Sequence, residues 1–128
     1  MQLLLDTQAV LWWLNDDERL TRSARRVLVR AEHGQFLSVA AAWEMAIKVS
    51  LRKLRLPQPI GPFLKEQLPA NRIALVAIGP DDLTRVESLP FLHRDPFDRM
   101  MAAQALERDF AVVSSDPVFE RYGVKRIW

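Results

Sequence analysis

The sequence predicts an α/β fold in which helices cover both faces of a mostly parallel sheet. Short apolar segments alternate along the chain with longer amphipathic segments, and Gly or Pro marks the turns between them. The apolar segments are unbroken rather than alternating, which is typical of strands buried on both faces of a parallel sheet. The 128 residues suffice for a single domain, so we expect residues 1–128 to form one unit.

Each element follows from its periodicity and from its start and stop signals. Thr21 is placed to cap the second helix and Gly34 to end it, while Asp95 and Pro96 are placed to open a long later helix. The predicted strands are residues 3–5, 36–39, 73–78, 111–113 and 124–128. The predicted helices are residues 9–14, 22–32, 40–54, 61–68, 81–89, 95–109 and 117–122.

Composition narrows the class of protein. The chain has no cysteine, so disulfides and thiolate metal sites are excluded. Lys and Arg exceed Asp and Glu by 18 to 16, a mild basic bias that is compatible with nucleic acid without indicating it. The N-terminus lacks the pattern of a signal peptide, and no apolar stretch approaches a membrane span. We therefore expect a soluble cytoplasmic protein with no membrane partner.

Two acids directly follow predicted strands. Asp6 comes after the first strand and Asp116 after the fourth, each at the start of a helix. Parallel sheets place their sites beyond the carboxyl ends of the strands, so both side chains are expected at one edge. The alternative is that each Asp only caps its helix, because Asp is a favoured N-cap and Pro117 fits the next position.

The segment HRDPFDRMMAAQA contains the third candidate acid. Asp95 is the natural N-cap, Pro96 is the first helical residue, and Asp98 is the third. Asp98 shares a helix face with the apolar Met101 and Ala102, so it is expected to point inward. The alternative is a capping-box role, but Asp95 already supplies the cap. We therefore expect a site role for Asp98.

Glu44 is the fourth candidate, in the middle of SVAAAWEMAIK. Ala40 and Ala41 lie about one turn before it and leave space beside its side chain. The alternative is a surface ion pair with Lys48 four residues later. Such a pair would not require small neighbours, which favours a site role.

If these four acids meet, their mutual repulsion requires a cation. Several carboxylates a few ångströms apart cannot all stay ionised unaided. Oxygen ligands without cysteine indicate Mg²⁺ or Mn²⁺, and His33 and His93 are assigned no role in the metal site. A divalent ion of this kind activates water and stabilises charge on phosphate, which points to phosphodiester hydrolysis.

Four segments, LLLDT, SVAAAWEMAIK, HRDPFDRMMAAQA and VVSSDPVF, occur in an order that resembles the PIN-domain ribonucleases. More narrowly, the chain resembles the VapC-type toxins of type II toxin-antitoxin pairs. The resemblance implies a PIN-like three-layer α/β/α fold and places the family's four acids on Asp6, Glu44, Asp98 and Asp116. It implies an RNA substrate, Mg²⁺ or Mn²⁺ as cofactor, a cognate antitoxin and a homodimer.

The resemblance also assigns secondary positions. Thr7 and Ser115 match hydroxyl positions beside the site. Ala41 departs from the family pattern, since close relatives often carry Ser there. This departure puts one secondary polar contact in doubt and leaves the acids unaffected.

Basic residues near the acids are candidates for contact with RNA phosphates. Lys48, Arg52 and Lys53 follow Glu44 in sequence, and Arg94 and Arg99 flank the DPFD turn. The alternative is a solvated basic surface, which is the usual role of exposed Lys and Arg.

Two other functions fit parts of the pattern. A phospho-receiver domain is also a parallel α/β fold that uses Mg²⁺, but the first strand here ends in one acid rather than a pair. Such a domain would also need an Asp nucleophile after a central strand, whereas Asp81 and Asp82 open a helix after the third strand. A non-catalytic metal- or RNA-binding scaffold would keep the fold without cleavage.

Overall fold

The computed structural model describes residues 1–30 and 32–128, which form five strands and seven helices. The strands are β1 (Gln2–Leu5), β2 (Gly34–Ser38), β3 (Ile73–Val76), β4 (Ala111–Val113) and β5 (Arg126–Ile127). The helices are α1 (Thr7–Leu14), α2 (Arg22–Leu28), α3 (Val39–Ser50), α4 (Ile60–Ala70), α5 (Pro80–Ser88), α6 (Pro96–Arg108) and α7 (Val118–Arg121). Within these residues no helix is long and apolar enough to cross a membrane.

The five strands form one parallel sheet in the order β3-β2-β1-β4-β5. The predicted α/β class with a parallel sheet is confirmed. Leu5 lies opposite Leu37 on one side and Val113 on the other, so the carboxyl ends of three strands are level. The chain adds β2 and β3 on one side of β1 and then β4 and β5 on the other. The strand order therefore reverses between β1 and β4, where such sheets form a crevice.

The core is densest around β1. Leu3, Leu4 and Leu5 are fully buried because β1 is central and helices cover both faces of the sheet. The edge strand β3 is only half covered, and Leu75 on it is 49% exposed. The unbroken apolar pattern thus predicts burial correctly at the centre of the sheet and overestimates it at the edge.

Several predicted boundaries are wrong. Helix α2 ends at Leu28, and Gly34 begins strand β2 opposite Gln2 instead of ending the helix. Part of the predicted extension of that helix, Ala31, lies outside the described residues. Helix α3 ends at Ser50 rather than near residue 54, since Arg52 takes a left-handed conformation with φ 60° that cannot continue a helix. Strands β3 and β5 are shorter than predicted.

Candidate active site

The four predicted acids line one cavity of about 190 Å³ at the carboxyl edge of the sheet. They come from four distant parts of the chain: the end of β1, the middle of α3, the start of α6 and the segment after β4. The cavity is lined by Asp6, Thr7, Gln8, Glu44, Lys48, Asp98, Ser115 and Asp116.

Asp6 and Asp116 both line the cavity and hold local turns. Asp6 is the N-cap of α1, and its Oδ1 accepts the Ala9 N–H at 2.7 Å. The Oδ1 of Asp116 accepts the Val118 N–H at 2.9 Å, while its own N–H donates to Ser114 Oγ at 3.0 Å. These local hydrogen bonds are compatible with a site role, because each of them uses only one carboxylate oxygen.

Glu44 is fixed from two sides. The Thr7 hydroxyl donates to Glu44 Oε1 at 2.5 Å, which ties α3 to the start of α1. Lys48 Nζ lies 3.8 Å from Oε2, so the pair considered from the sequence also forms. Ala40 and Ala41 are fully buried beside it. Glu44 thus faces the cavity with its side chain only 15% exposed.

Asp98 is released from capping by Asp95. Asp95 Oδ1 accepts the N–H groups of Phe97 and Asp98 at 2.9 and 3.0 Å. The side chain of Asp98 instead lines the cavity, and its Oδ2 lies 3.3 Å from His93 Nε2. The division of roles predicted for the two aspartates matches this geometry, while the contact with His93 was not predicted.

The environment of the two central aspartates disfavours their charged form. The pKa of Asp98 is raised to about 6, mainly by burial and also by the charges of Asp95 and Asp116, while the hydrogen bond and charge of His93 oppose the rise. The cause is the same as at other partly buried carboxyls, where loss of water penalises the anion.

Burial also raises the pKa of Asp6. Hydrogen bonds from the Ser114 side chain and the Ala9 N–H oppose this rise, and the charges of Glu44 and Asp116 add to it. The cavity therefore concentrates negative charge that Lys48 offsets only in part, an arrangement that a bound cation would relieve.

The donor set fits Mg²⁺ or Mn²⁺ in chemistry and in charge, since it consists of carboxylate and hydroxyl oxygens. Among residues 1–30 and 32–128, however, no three His, Asp or Glu side chains are arranged to hold a metal by themselves. Mg²⁺ keeps several water ligands and needs only one or two direct carboxylates. The loose arrangement is therefore consistent with an ion held partly through water.

The basic candidates fall into different environments. Lys48 lines the cavity, and Arg94 is exposed near the start of α6. Arg52 and Lys53 are exposed beyond the end of α3.

Arg99 is only 5% exposed, and its Nη1 donates to the Pro90 carbonyl at 2.8 Å and to Tyr122 Oη at 3.2 Å. This burial and these protein partners argue against the predicted phosphate contact of Arg99, because its guanidinium is already satisfied by protein oxygens.

Three residues near the site were given no site role from the sequence. His93 contacts Asp98, Ser114 supports Asp6 and Asp116, and Gln8 lines the cavity. Ser114 stands directly after β4, so the rule that pointed to Asp116 could have found it. His93 lies only five residues before Asp98, but Tyr122, its second partner, lies 29 residues later.

A parallel sheet in this strand order, with acids gathered at its reversal point, defines a PIN-like α/β/α nuclease fold. The PIN domain family model matches residues 3–125, and the chain belongs to the PIN domain family, among its VapC-type members. Ribonuclease VapC22 of Mycobacterium tuberculosis is 30% identical over 117 residues, covering 89% of this chain and 86% of that protein. The resemblance inferred from the motifs is confirmed.

Solved structures share the fold. VapBC2 from Rickettsia felis, bound to a DNA fragment from its promoter, aligns over 100% of both chains with a TM-score of 0.74 and 16% identity. DNA-bound VapBC from Salmonella typhimurium aligns over 98% of this chain and 96% of that chain, with a TM-score of 0.69 and 16% identity. At such identities the likeness speaks for the fold alone.

Proposed function

We propose that this protein is a Mg²⁺- or Mn²⁺-dependent endoribonuclease that acts as the toxin of a VapBC-type pair. The observation that carries the proposal is the convergence of Asp6, Glu44, Asp98 and Asp116 on one cavity. Four acids from distant segments rarely share a small, partly buried cavity unless they have a functional role, because their mutual repulsion is unfavourable.

The residues of the cavity have different proposed roles. Asp6 and Asp98 are the proposed direct ligands of the ion, and Glu44 and Asp116 would act directly or through water. Thr7 keeps Glu44 in place through its hydroxyl, and Ser115 offers a further oxygen at the rim. When bound, the divalent ion supplies activation of water and stabilisation of charge on the scissile phosphate.

We propose that the exposed or cavity-lining basic side chains contact the substrate. Lys48 at the cavity wall and exposed Arg94 are proposed to hold phosphates on either side of the scissile bond. Both can offset the negative charge of the cavity, which would otherwise repel RNA. Arg99 is left out of this set because it is buried.

RNA as substrate is supported by the ribonuclease name of the curated relative. An antitoxin partner is supported by the VapBC complexes among the structures of the same fold. A homodimer rests on the family resemblance. We propose all three for this chain.

The central experiment is cleavage of a mixed RNA pool by the purified chain with Mg²⁺, with and without EDTA. We expect cleavage that EDTA abolishes and that Asp98→Asn removes. Asp81→Asn is the matched control, since Asp81 is an exposed acid in the first turn of another helix. Cleavage that persists in EDTA or in Asp98→Asn would refute the metal-site proposal.

A non-catalytic scaffold is the second candidate. It is favoured by one observation: each acid already uses an oxygen in a protein contact, and no three converge on a metal position among the described residues. The same assay separates the two, because a scaffold would bind RNA or metal without producing cleaved ends. For the phospho-receiver alternative, neither acid after the third strand lines the cavity: Asp82 is ion-paired with Arg108, and Asp81 is exposed.

A further inference from the structure

A chain of hydrogen bonds runs behind Asp98, on the side away from the cavity. Arg99 Nη1 lies 3.2 Å from Tyr122 Oη, which lies 2.7 Å from His93 Nδ1. His93 Nε2 in turn lies 3.3 Å from Asp98 Oδ2. Three of these residues belong to the HRDPFDR segment, and Tyr122 joins them from the far end of the chain.

Donor and acceptor accounting gives this chain one direction. The guanidinium of Arg99 can only donate, so Tyr122 Oη accepts from it. A carboxylate can only accept, so His93 Nε2 carries the proton that faces Asp98. In neutral imidazole the other nitrogen is then bare, and the Tyr122 hydroxyl donates to it.

The reverse assignment is unfavourable. If His93 Nδ1 carried the proton, Tyr122 Oη would accept from both His93 and Arg99. Its own O–H would then need another acceptor at a residue that is only 7% exposed. An Nε2 without a proton would also face the carboxylate of Asp98 lone pair to lone pair.

Arg99, the first residue of this chain of hydrogen bonds, is held by several protein contacts. Arg99 is held at 2.8 Å by the Pro90 carbonyl and packs with its guanidinium 4.2 Å from the centre of the Phe91 ring. Its position follows directly after Asp98 on α6, so Arg99 and the carboxylate move with the same helix.

We propose that His93 is a positioning residue, which holds Asp98 Oδ2 through its Nε2–H while Tyr122 and Arg99 fix its tautomer. The inference rests on the proposed function in that Asp98 is taken as a metal-holding acid. A hydrogen bond to Oδ2 restricts rotation of the carboxylate and leaves the other oxygen available to the cavity that Asp98 lines. Outer hydrogen bonds of this kind typically change metal affinity by about 10- to 100-fold.

The first test reads the tautomer directly. Long-range ¹H–¹⁵N spectra of the metal-free protein at neutral pH distinguish a protonated ring nitrogen from a bare one. We expect His93 in the Nε2–H form, and we expect Tyr122→Phe to convert it to a mixture of tautomers. An Nδ1–H form, or a mixture in the unaltered protein, would overturn the proposal whatever the protein does to RNA.

The second test measures Mg²⁺ binding by calorimetry, without RNA. We expect His93→Phe to weaken binding by about tenfold or more, and His93→Gln to restore most of it because its amide can donate to Asp98. Tyr122→Phe should have a smaller effect in the same direction. His33→Asn, at a histidine that lines a different cavity, is the matched control and should bind as the unaltered protein does.

The outcomes separate this inference from the proposed function. If the unaltered protein binds no Mg²⁺ or Mn²⁺, the proposed metal site fails. If it binds and His93→Phe binds equally well, only the positioning role fails. Equal weakening in His93→Phe and His93→Gln would also overturn that role, because it would show that the hydrogen bond to Asp98 is not what matters. Circular dichroism of each variant identifies any that fails to fold, and the tautomer of the unaltered protein then decides.

Discussion

Asp82 and Asp98 occupy the same position in two neighbouring helices, but the pKa of one is lowered and that of the other is raised. Each is the third helical residue after a proline at the first position, in α5 and α6. Asp82 Oδ2 accepts the Gly79 N–H at 2.8 Å and Arg108 Nη2 at 2.9 Å. Burial alone would raise the pKa of Asp82, but the Arg108 and Gly79 hydrogen bonds hold it below its ordinary value.

Asp98 has neither of these partners. Asp95 fills its cap, and the guanidinium that follows it, Arg99, turns toward Pro90 and Tyr122. Burial therefore prevails and raises the pKa of Asp98 to about 6. The comparison teaches that the position in the helix does not decide the role of such an acid. What decides it is which residue fills the cap and where the nearest guanidinium points.

The largest expected difference between the two acids is in catalysis. Asp98→Asn should lower RNA cleavage by at least about a hundredfold, since the charge stabilisation a metal supplies is worth several kcal/mol. Asp82→Asn should retain cleavage within a few-fold at a temperature where it is folded. Initial rates of RNA cleavage in Mg²⁺ measure both. Comparable losses in the two variants would mean that Asp98 is as structural as Asp82.

The next difference is in stability: substitution to Asn should destabilise the protein at Asp82 and stabilise it at Asp98. Asp82→Asn removes charge-assisted hydrogen bonds to Arg108 and should lower the free energy of unfolding by about 2 kcal/mol. Asp98→Asn relieves a buried, repelled carboxylate and should raise the free energy of unfolding in metal-free buffer at neutral pH. Urea unfolding in EDTA checks both signs. A destabilised Asp98→Asn would show that Asp98 is paired more strongly than the geometry indicates.

The pH dependence of that stabilisation follows from the raised pKa. Because Asp98 has a pKa of about 6 in the folded state against 3.8 ordinarily, the folded protein binds more protons between these values. The stability that the folded protein gains from protonation of Asp98 is fully present below about pH 4 and is lost as the pH rises through about 6. The advantage of Asp98→Asn, at most about 3 kcal/mol at neutral pH, should therefore shrink toward zero near pH 4. Paired urea titrations across this range measure the difference, and a gap that widens on acidification would contradict the raised pKa.

The parallel sheet and the positions of the acids could be predicted from the sequence because both follow from local rules. Asp6 and Asp116 were predicted from strand ends, and Asp98 was distinguished from Asp95 by cap position alone. The burial of Arg99 could not be predicted because it depends on carbonyls and a ring that only the folded chain brings to it.

The contact of His93 with Tyr122 could not be predicted for the same reason, because Tyr122 comes from the far end of the chain. The end of α3 was missed because it is set by a left-handed Arg52, which is not a residue that favours that conformation. Features that depend on contacts distant in sequence lie beyond local rules.

The smallest expected effect concerns Lys48, the cation beside the acid cavity. Its Nζ lies 3.8 Å from Glu44 Oε2 and is partly exposed, a looser contact than the one Arg108 makes with Asp82. Lys48→Met should therefore change the free energy of unfolding by no more than about 0.5 kcal/mol. It should instead weaken RNA binding several-fold at low salt and lower the slope of log affinity against log salt by about one. Binding titrations of the Asp98→Asn background at several salt concentrations would measure this without cleavage. If Lys48→Met instead costs stability as Asp82→Asn does and leaves the salt slope unchanged, then Lys48 is a structural partner of Glu44, and the two carboxylate environments differ less than the geometry indicates.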